Sequence, residues 1–150
     1  MTGRLGLVVC AIWAVALVSA GTAASVTRLP GFRSPSGNIK CFFSPGKPSV
    51  MRCMIAQADY AGKLVDYCGS PPIQVDWAGF ELGATRKGSV SCSGGVLYDP
   101  STQRPTFTTL AYGKSWRHGV FACWSRVTGV TCRNREGHGL FVSRQSWRAW

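Results

Sequence analysis

The stretch Trp116–Arg144, WRHGVFACWSRVTGVTCRNREGHGLFVSR, decides the fold of this chain. It divides into three short runs rich in β-branched and aromatic residues, separated by two glycine-bearing turns, the pattern of a β-meander. With Arg126–Gly129 as the first loop, Ser125 opposes Val130, Trp124 opposes Thr131, and Cys123 opposes Cys132. Directly opposed residues on antiparallel strands have Cα atoms about 4.5–5.5 Å apart, within reach of a disulfide. A three-residue loop with Gly129 in a bulge would instead pair Arg126 with Val130 and set Cys132 opposite Trp124. Both registers are open to the sequence, and the first is the favoured one.

Working outward, the N-terminal end reads as a secretory signal peptide over residues 1–24. Arg4 precedes an apolar run, Leu7–Val18, and then the small residues Ser19–Ala24, with cleavage expected after Ala24 or Ala20. The run is shorter than the roughly 20 residues that a membrane span needs, so no span is expected after cleavage. Residues 25–31 read as a leader without periodicity, and residues 32–150 as one domain. That length suffices for a single core.

Cys10 falls inside the apolar run. The other six cysteines, Cys41, Cys53, Cys68, Cys92, Cys123 and Cys132, are an even set in a chain addressed to an oxidising compartment, which implies a disulfide framework. Sequence does not choose among the connectivities. The expectation is sequential pairing, Cys41 with Cys53, Cys68 with Cys92 and Cys123 with Cys132, because each pair flanks a turn-rich segment. A zinc site is not expected, since no Cys-x-x-Cys pair occurs. No cofactor is implied.

Without Arg4 the chain carries 16 basic against 6 acidic residues. Such a balance attracts polyanions by counterion release and steering, although it also serves solubility alone. An anionic envelope polymer or lipid headgroups are the partners expected on this ground, and nucleic acid is the disfavoured one. A monomer is expected.

Several further strands can be read along the domain. Ile39–Phe43 follows the turn residues Ser34–Asn38, and Val50–Ile55 follows the breakers Pro45, Gly46 and Pro48. Ala56–Val65 suggests a short helical turn interrupted by Gly62. Ile73, Val75 and Trp77 alternate with Gln74 and Asp76 as a half-buried strand would, with Phe80–Leu82 as its continuation. Gly88–Cys92 and Thr106–Tyr112 add two more. A Gly-x-apolar-x-Cys pattern recurs at Gly37–Cys41, Gly88–Cys92 and Gly119–Cys123, in which glycine frees the strand from a turn and the apolar residue shares a face with the cysteine. Trp147 and Trp150 are expected to tuck against the sheet. The fold class is all-β: a small disulfide-braced sandwich or barrel with a C-terminal meander, preceded by a signal-peptide helix.

At FRSPSGNIKC (Phe32–Cys41), LAYG (Leu110–Gly113), GVTCRN (Gly129–Asn134) and GHGLFVSR (Gly137–Arg144) the chain resembles a family of small secreted domains from actinobacteria with no assigned function. The likeness runs from Phe32 to Arg144. It implies an exported, cysteine-paired protein, envelope-associated or released, and it carries over no catalytic residue.

Two constellations suggest chemistry. His138, between Gly137 and Gly139, is the one weak catalytic candidate, as a general base with Ser143 as hydroxyl and Asp99 or Glu136 as orienting carboxylate. Against it, glycines there serve the turn, and Ser143 and His138 fall on opposite strand faces. The second is a basic surface interleaved with aromatics, on which Trp124, Arg133 and Arg144 are the expected ligand-binding residues. The leading expectation is therefore an exported, non-catalytic binding or structural module of the cell envelope. A small secreted hydrolase using His138 is the alternative.

Overall fold

The computed structural model of the protein describes residues 25–150. The signal peptide read at 1–24, with its helix, lies outside those residues. The described chain is all-β apart from one helix, and its strands form two sheets. The first sheet holds β1 (Thr27–Arg33), β2 (Ile39–Ser44), β3 (Val50–Ile55), β4 (Trp77–Gly83), β5 (Gly88–Cys92) and β6 (Gln103–Thr109), in the order β5-β4-β3-β2-β1-β6. Its pairs are antiparallel except β1 with β6, which run parallel from Thr27↔Gln103 to Arg33↔Thr109. The second holds β7 (Ser115–His118), β8 (Phe121–Arg126), β9 (Gly129–Arg133), β10 (Gly139–Val142) and β11 (Trp147–Ala149), an antiparallel meander in which sequence neighbours pair throughout. Among the described residues no helix is long and apolar enough to cross a membrane.

Strand alternation puts every second residue of each sheet into the space between them. Phe32, Met51, Phe80 and Leu82 from the first sheet meet Phe121, Val130, Leu140 and Val142 from the second, all at 2 % exposure or less. Two disulfides stand at the centre of this core. Cys41–Cys53 ties β2 to β3 and Cys123–Cys132 ties β8 to β9, each between directly opposed residues, with Cα–Cα distances of 4.1 and 4.0 Å. The two bridges face each other, and the Sγ atoms of Cys41, Cys53 and Cys132 lie within 4.8 Å of one another. Cys68–Cys92 fastens the helix α1 (Ala61–Gly69) to the end of β5. The pairing is the sequential one, and the hairpin at Cys123 has the register with Val127 and Thr128 at its tip, closed by the pair Arg126↔Gly129. In the chain-entropy account each bridge restricts the unfolded chain by about 3 kcal/mol, a large part of a small domain's net stability.

Three local readings differ from the sequence expectation. Residues 25–31, read as a leader, are mostly strand: β1 lies inside the first sheet, flanked by β2 and β6. The alternation at Ile73, Val75 and Trp77 does not make a strand before Trp77. The amides of Ile73 and Gln74 both donate to the Ser70 carbonyl at 2.9 and 3.3 Å, and Gln74 has a φ of +50°, so the segment turns. Val75 is left 39 % exposed. The helix begins at Ala61 and runs past Val65 to Gly69, burying Leu64 and Cys68 on one side.

Asn134, at 6 % exposure, joins the two sheets at one end. Its Nδ2 donates to the Gly83 carbonyl at 2.9 Å and the Arg86 carbonyl at 3.2 Å, both around the β4–β5 turn. Its Oδ1 accepts from the amides of Glu136 and His138, each at 3.1 Å. Nearby the sheets approach so closely that a Cβ on Gly88 would stand 3.0 Å from the Cβ of Leu140 and 3.2 Å from that of Ala149. Gly37 and Gly119 hold positive φ in turns, as the Gly-x-apolar-x-Cys pattern implies, whereas Gly88 serves the approach of the sheets.

Candidate functional site

The outward faces of the two sheets differ in kind. Across the first sheet runs the segment between β5 and β6, which lays Leu97 at 2 % exposure over Leu29 and Phe42 and stacks Tyr98 edge-on against Phe42 at 5.7 Å. The Arg52 guanidinium fixes that segment by donating to the Leu97 carbonyl at 2.6 Å. Five of the six acidic residues, Asp59, Asp66, Asp76, Glu81 and Asp99, belong to this sheet and its helix and loops. The sixth, Glu136, is in the β9–β10 turn.

Among the described residues the outward face of the second sheet carries no such cover. The pairing register lines up Trp124, Thr131, Phe141 and Arg148 in one row across β8, β9, β10 and β11. The next row on that face is Arg117, Ala122, Arg133 and Gly139. Arg126 follows Trp124 two residues along β8, and Trp150 follows Arg148 past β11, both on the same side by strand alternation. The face thus presents four arginines with three aromatic rings and no acidic side chain. Among the described residues Arg144 pairs with Asp59, and Glu136 lies near His138, so Arg117, Arg126, Arg133 and Arg148 have no carboxylate partner there.

Two glycines explain how the rings lie. A Cβ at Gly139 would overlap the Trp150 indole, and one at Gly129 would stand 2.9 Å from the Phe141 ring. Each ring therefore rests on a strip of bare backbone, as aromatic side chains do when they cover strand glycines. The guanidiniums of Arg133 and Arg148 sit over the Trp150 ring, at 5.7 and 5.1 Å from its centroid. Such contacts hold a flexible cation in place without neutralising it. Trp124, Arg126, Thr131, Arg133, Arg148 and Trp150 surround a depression of about 710 Å³.

Of the three binding residues expected from sequence, Trp124 and Arg133 share this depression and Arg144 does not. β10 ends at Val142, and the chain then turns toward the segment before the helix. The Arg144 Nε donates to Asp59 Oδ1 at 3.1 Å while the Asp59 amide donates to the Arg144 carbonyl at 2.9 Å. Tyr60 adds a hydrogen bond from its hydroxyl to the Ser143 carbonyl at 3.0 Å. Burial, with the Asp59 charge as the lesser cause, pushes the Tyr60 phenol up to about 12. Arg126, Arg148, Phe141 and Trp150 belong to the same basic and aromatic stretch of sequence but were not among the residues expected to bind. For Arg148 and Trp150 the missing signal was the short strand β11, whereas Arg126 and Phe141 follow from the same strand parity and register that place Trp124 and Thr131 on this face.

Of the catalytic alternative, His138 stands beside one of its two carboxylates, Glu136, while Ser143 and Asp99 bond elsewhere. His138 has Glu136 at 3.9 Å, and its backbone amide is spent on Asn134. Ser143 Oγ donates to the Ser146 carbonyl and accepts from the Ser146 amide, both at 3.0 Å. Asp99 lies in the loop between β5 and β6, where its carboxylate accepts from the Ser101 hydroxyl at 2.6 Å and from Thr102 Oγ1 at 3.0 Å. These bonds, the one from Ser101 foremost, hold it below its ordinary value.

Residues 11–148 match a family described as "Family of unknown function (DUF6636)". No curated protein and no solved structure matches the chain.

Proposed function

For this chain, which belongs to that family of unknown function, we propose the role of an exported, non-catalytic binding module that holds an anionic partner on the outward face of its second sheet. The observation that carries the reading is the row-by-row register that gathers Arg117, Arg126, Arg133 and Arg148 around Trp124 and Trp150 on a face without a carboxylate side chain. Four unneutralised cations close together raise one another's energy, and an anion relieves that repulsion. Planar guanidiniums also bind carboxylates, sulfates and phosphates through two parallel N–H groups.

Export belongs to the proposal and rests on the signal-type residues 1–24 together with the three disulfides, which persist in oxidising compartments. The cell envelope is the place where such a protein would meet fixed polyanions.

The test is retention of the oxidised protein on dextran sulfate beads across a salt series, with plain dextran beads alongside. Retention is expected to fall steeply from low to moderate salt, and Arg133→Ser with Arg148→Ser to flatten the salt slope by about two, near one per lost contact. Arg28→Ser with Arg104→Ser, the same charge change on β1 and β6, should leave the slope close to that of the parent. Salt-insensitive retention, or equal loss from both pairs of substitutions, would overturn the proposal.

A further inference from the structure

The depression beneath Trp150 is not isolated. Trp124 and Arg133 also form one wall of a second hollow of about 430 Å³, whose other cations are Arg117 and Arg135. On the opposite side, Arg126 and Thr128 are shared with a third hollow of about 480 Å³ at the tip of the β8–β9 hairpin, which reaches Gln57, Tyr112, Arg144 and Gln145. The three hollows follow one another along β8. Ala122 and Arg126, which mark the first and last, are four residues apart on a single strand, about 14 Å at 3.4 Å per residue.

Building on the reading above, we infer that the ligand is an acidic polysaccharide lying along the β8–β9 hairpin. A lone anion fills one hollow. Linked units occupy neighbouring hollows that share walls, and each added unit binds from a high effective concentration. The chemistry of the hollows selects the kind of polymer. Arginines only donate, which suits carboxylates and sulfates. Gln57, Thr128 and Gln145 both donate and accept, as sugar hydroxyls do, and all three are exposed with no side-chain hydrogen bond among the described residues. Tyr112, 42 % exposed, adds a ring at that end. A single-stranded nucleic acid needs open ring faces for its bases. Here the Trp150 ring is taken by two arginines and the Phe141 ring lies against Gly129, which leaves Trp124 as the ring open to the middle hollow.

The experiment is calorimetric titration of the oxidised protein with mono-, di-, tetra- and hexagalacturonate, with maltohexaose as the neutral chain and hexathymidylate as the nucleic acid. Affinity is expected to rise at least about tenfold from the dimer to the hexamer. Arg126→Ser, at the wall shared by two hollows, should weaken hexamer binding by a larger factor than dimer binding, so that most of the gain with length is lost, while the urea midpoint stays near the parent value. Equal affinity at all lengths would overturn the polymer track, yet leave the anionic reading standing if salt-sensitive retention on dextran sulfate persists. Maltohexaose binding as well as hexagalacturonate, or hexathymidylate binding more tightly, would overturn the assignment to an acidic polysaccharide.

Discussion

Replacing Asn134 by alanine tests the account of how the two sheets are joined. The side chain makes four hydrogen bonds, two as donor to the Gly83 and Arg86 carbonyls and two as acceptor from the Glu136 and His138 amides. They do not weigh equally. Arg135, Glu136 and Gly137 form an exposed turn, so water can replace the two amide bonds, at about 0.5–1 kcal/mol each. The bond to Gly83 is buried, and a carbonyl stranded there costs about 1–3 kcal/mol, with the partly buried Arg86 carbonyl adding a smaller amount. The expected loss is therefore about 2–5 kcal/mol, against a total of roughly 5–15 kcal/mol for a domain. The assay is urea unfolding of the oxidised protein followed by tryptophan fluorescence, read as a lower midpoint with unchanged slope. Asn134→Asp sharpens the test. A carboxylate keeps both acceptor bonds but turns a second oxygen toward two carbonyls, so at neutral pH it should be no better than alanine. Protonation restores one donor, and the aspartate variant should recover part of the loss as pH falls. A cost below about 1 kcal/mol for alanine, or aspartate matching the parent at neutral pH, would refute the clamp.

Two other outcomes follow from single groups. Ser125 is fully buried and its Oγ finds no partner among the described residues, so Ser125→Ala should be neutral or stabilising by up to about 1 kcal/mol in the same urea assay, and a loss larger than that would show a bond the structure lacks. The Tyr60 phenol, held protonated by burial up to about 12, contributes stability that is fully present below its ordinary value of 10.0 and is lost as pH rises through about 12. Tyr60→Phe should flatten the stability profile over that window, and an unchanged alkaline slope would rule Tyr60 out as its source.

What could be read from the residues, and what could not, follows the range of the interactions. The Cys123–Cys132 hairpin was legible because a two-residue tip fixes which residues oppose each other, and the cysteines report that register. The same local logic paired Cys41 with Cys53. β1 was not legible, since its strand character comes from lying beside β6, whose first paired residue, Gln103, is 76 positions beyond Thr27. Nothing within a short window around Leu29-Pro30-Gly31 announces it. The turn at Ile73–Val75 failed for the opposite reason. Three apolar residues in alternation are a weak pattern, and hydrogen bonds to the Ser70 carbonyl outweighed it. Asn134 was given no role from sequence, although its bond to the amide two residues on is an Asx-turn that the sequence Asn-Arg-Glu-Gly permits.

The candidate face shows where such reasoning gains and loses its hold. Trp124 and Arg133 come together because hairpin register and strand parity are both local properties. Arg144 sits one residue beyond where parity can be trusted, since Ser143 already bonds to Ser146 and bends the chain off the sheet. The residues that take its place, Arg148 and Trp150, depend on a three-residue strand and on Gly139, on whose bare backbone that indole lies. A glycine that reads as turn punctuation between His138 and Leu140 is thus the seat of the ring that props two arginines toward solvent. The proposed binding depends on that glycine as much as on the charges, because a loose guanidinium pays ordering entropy on contact with an anion, whereas one already stacked has less to lose.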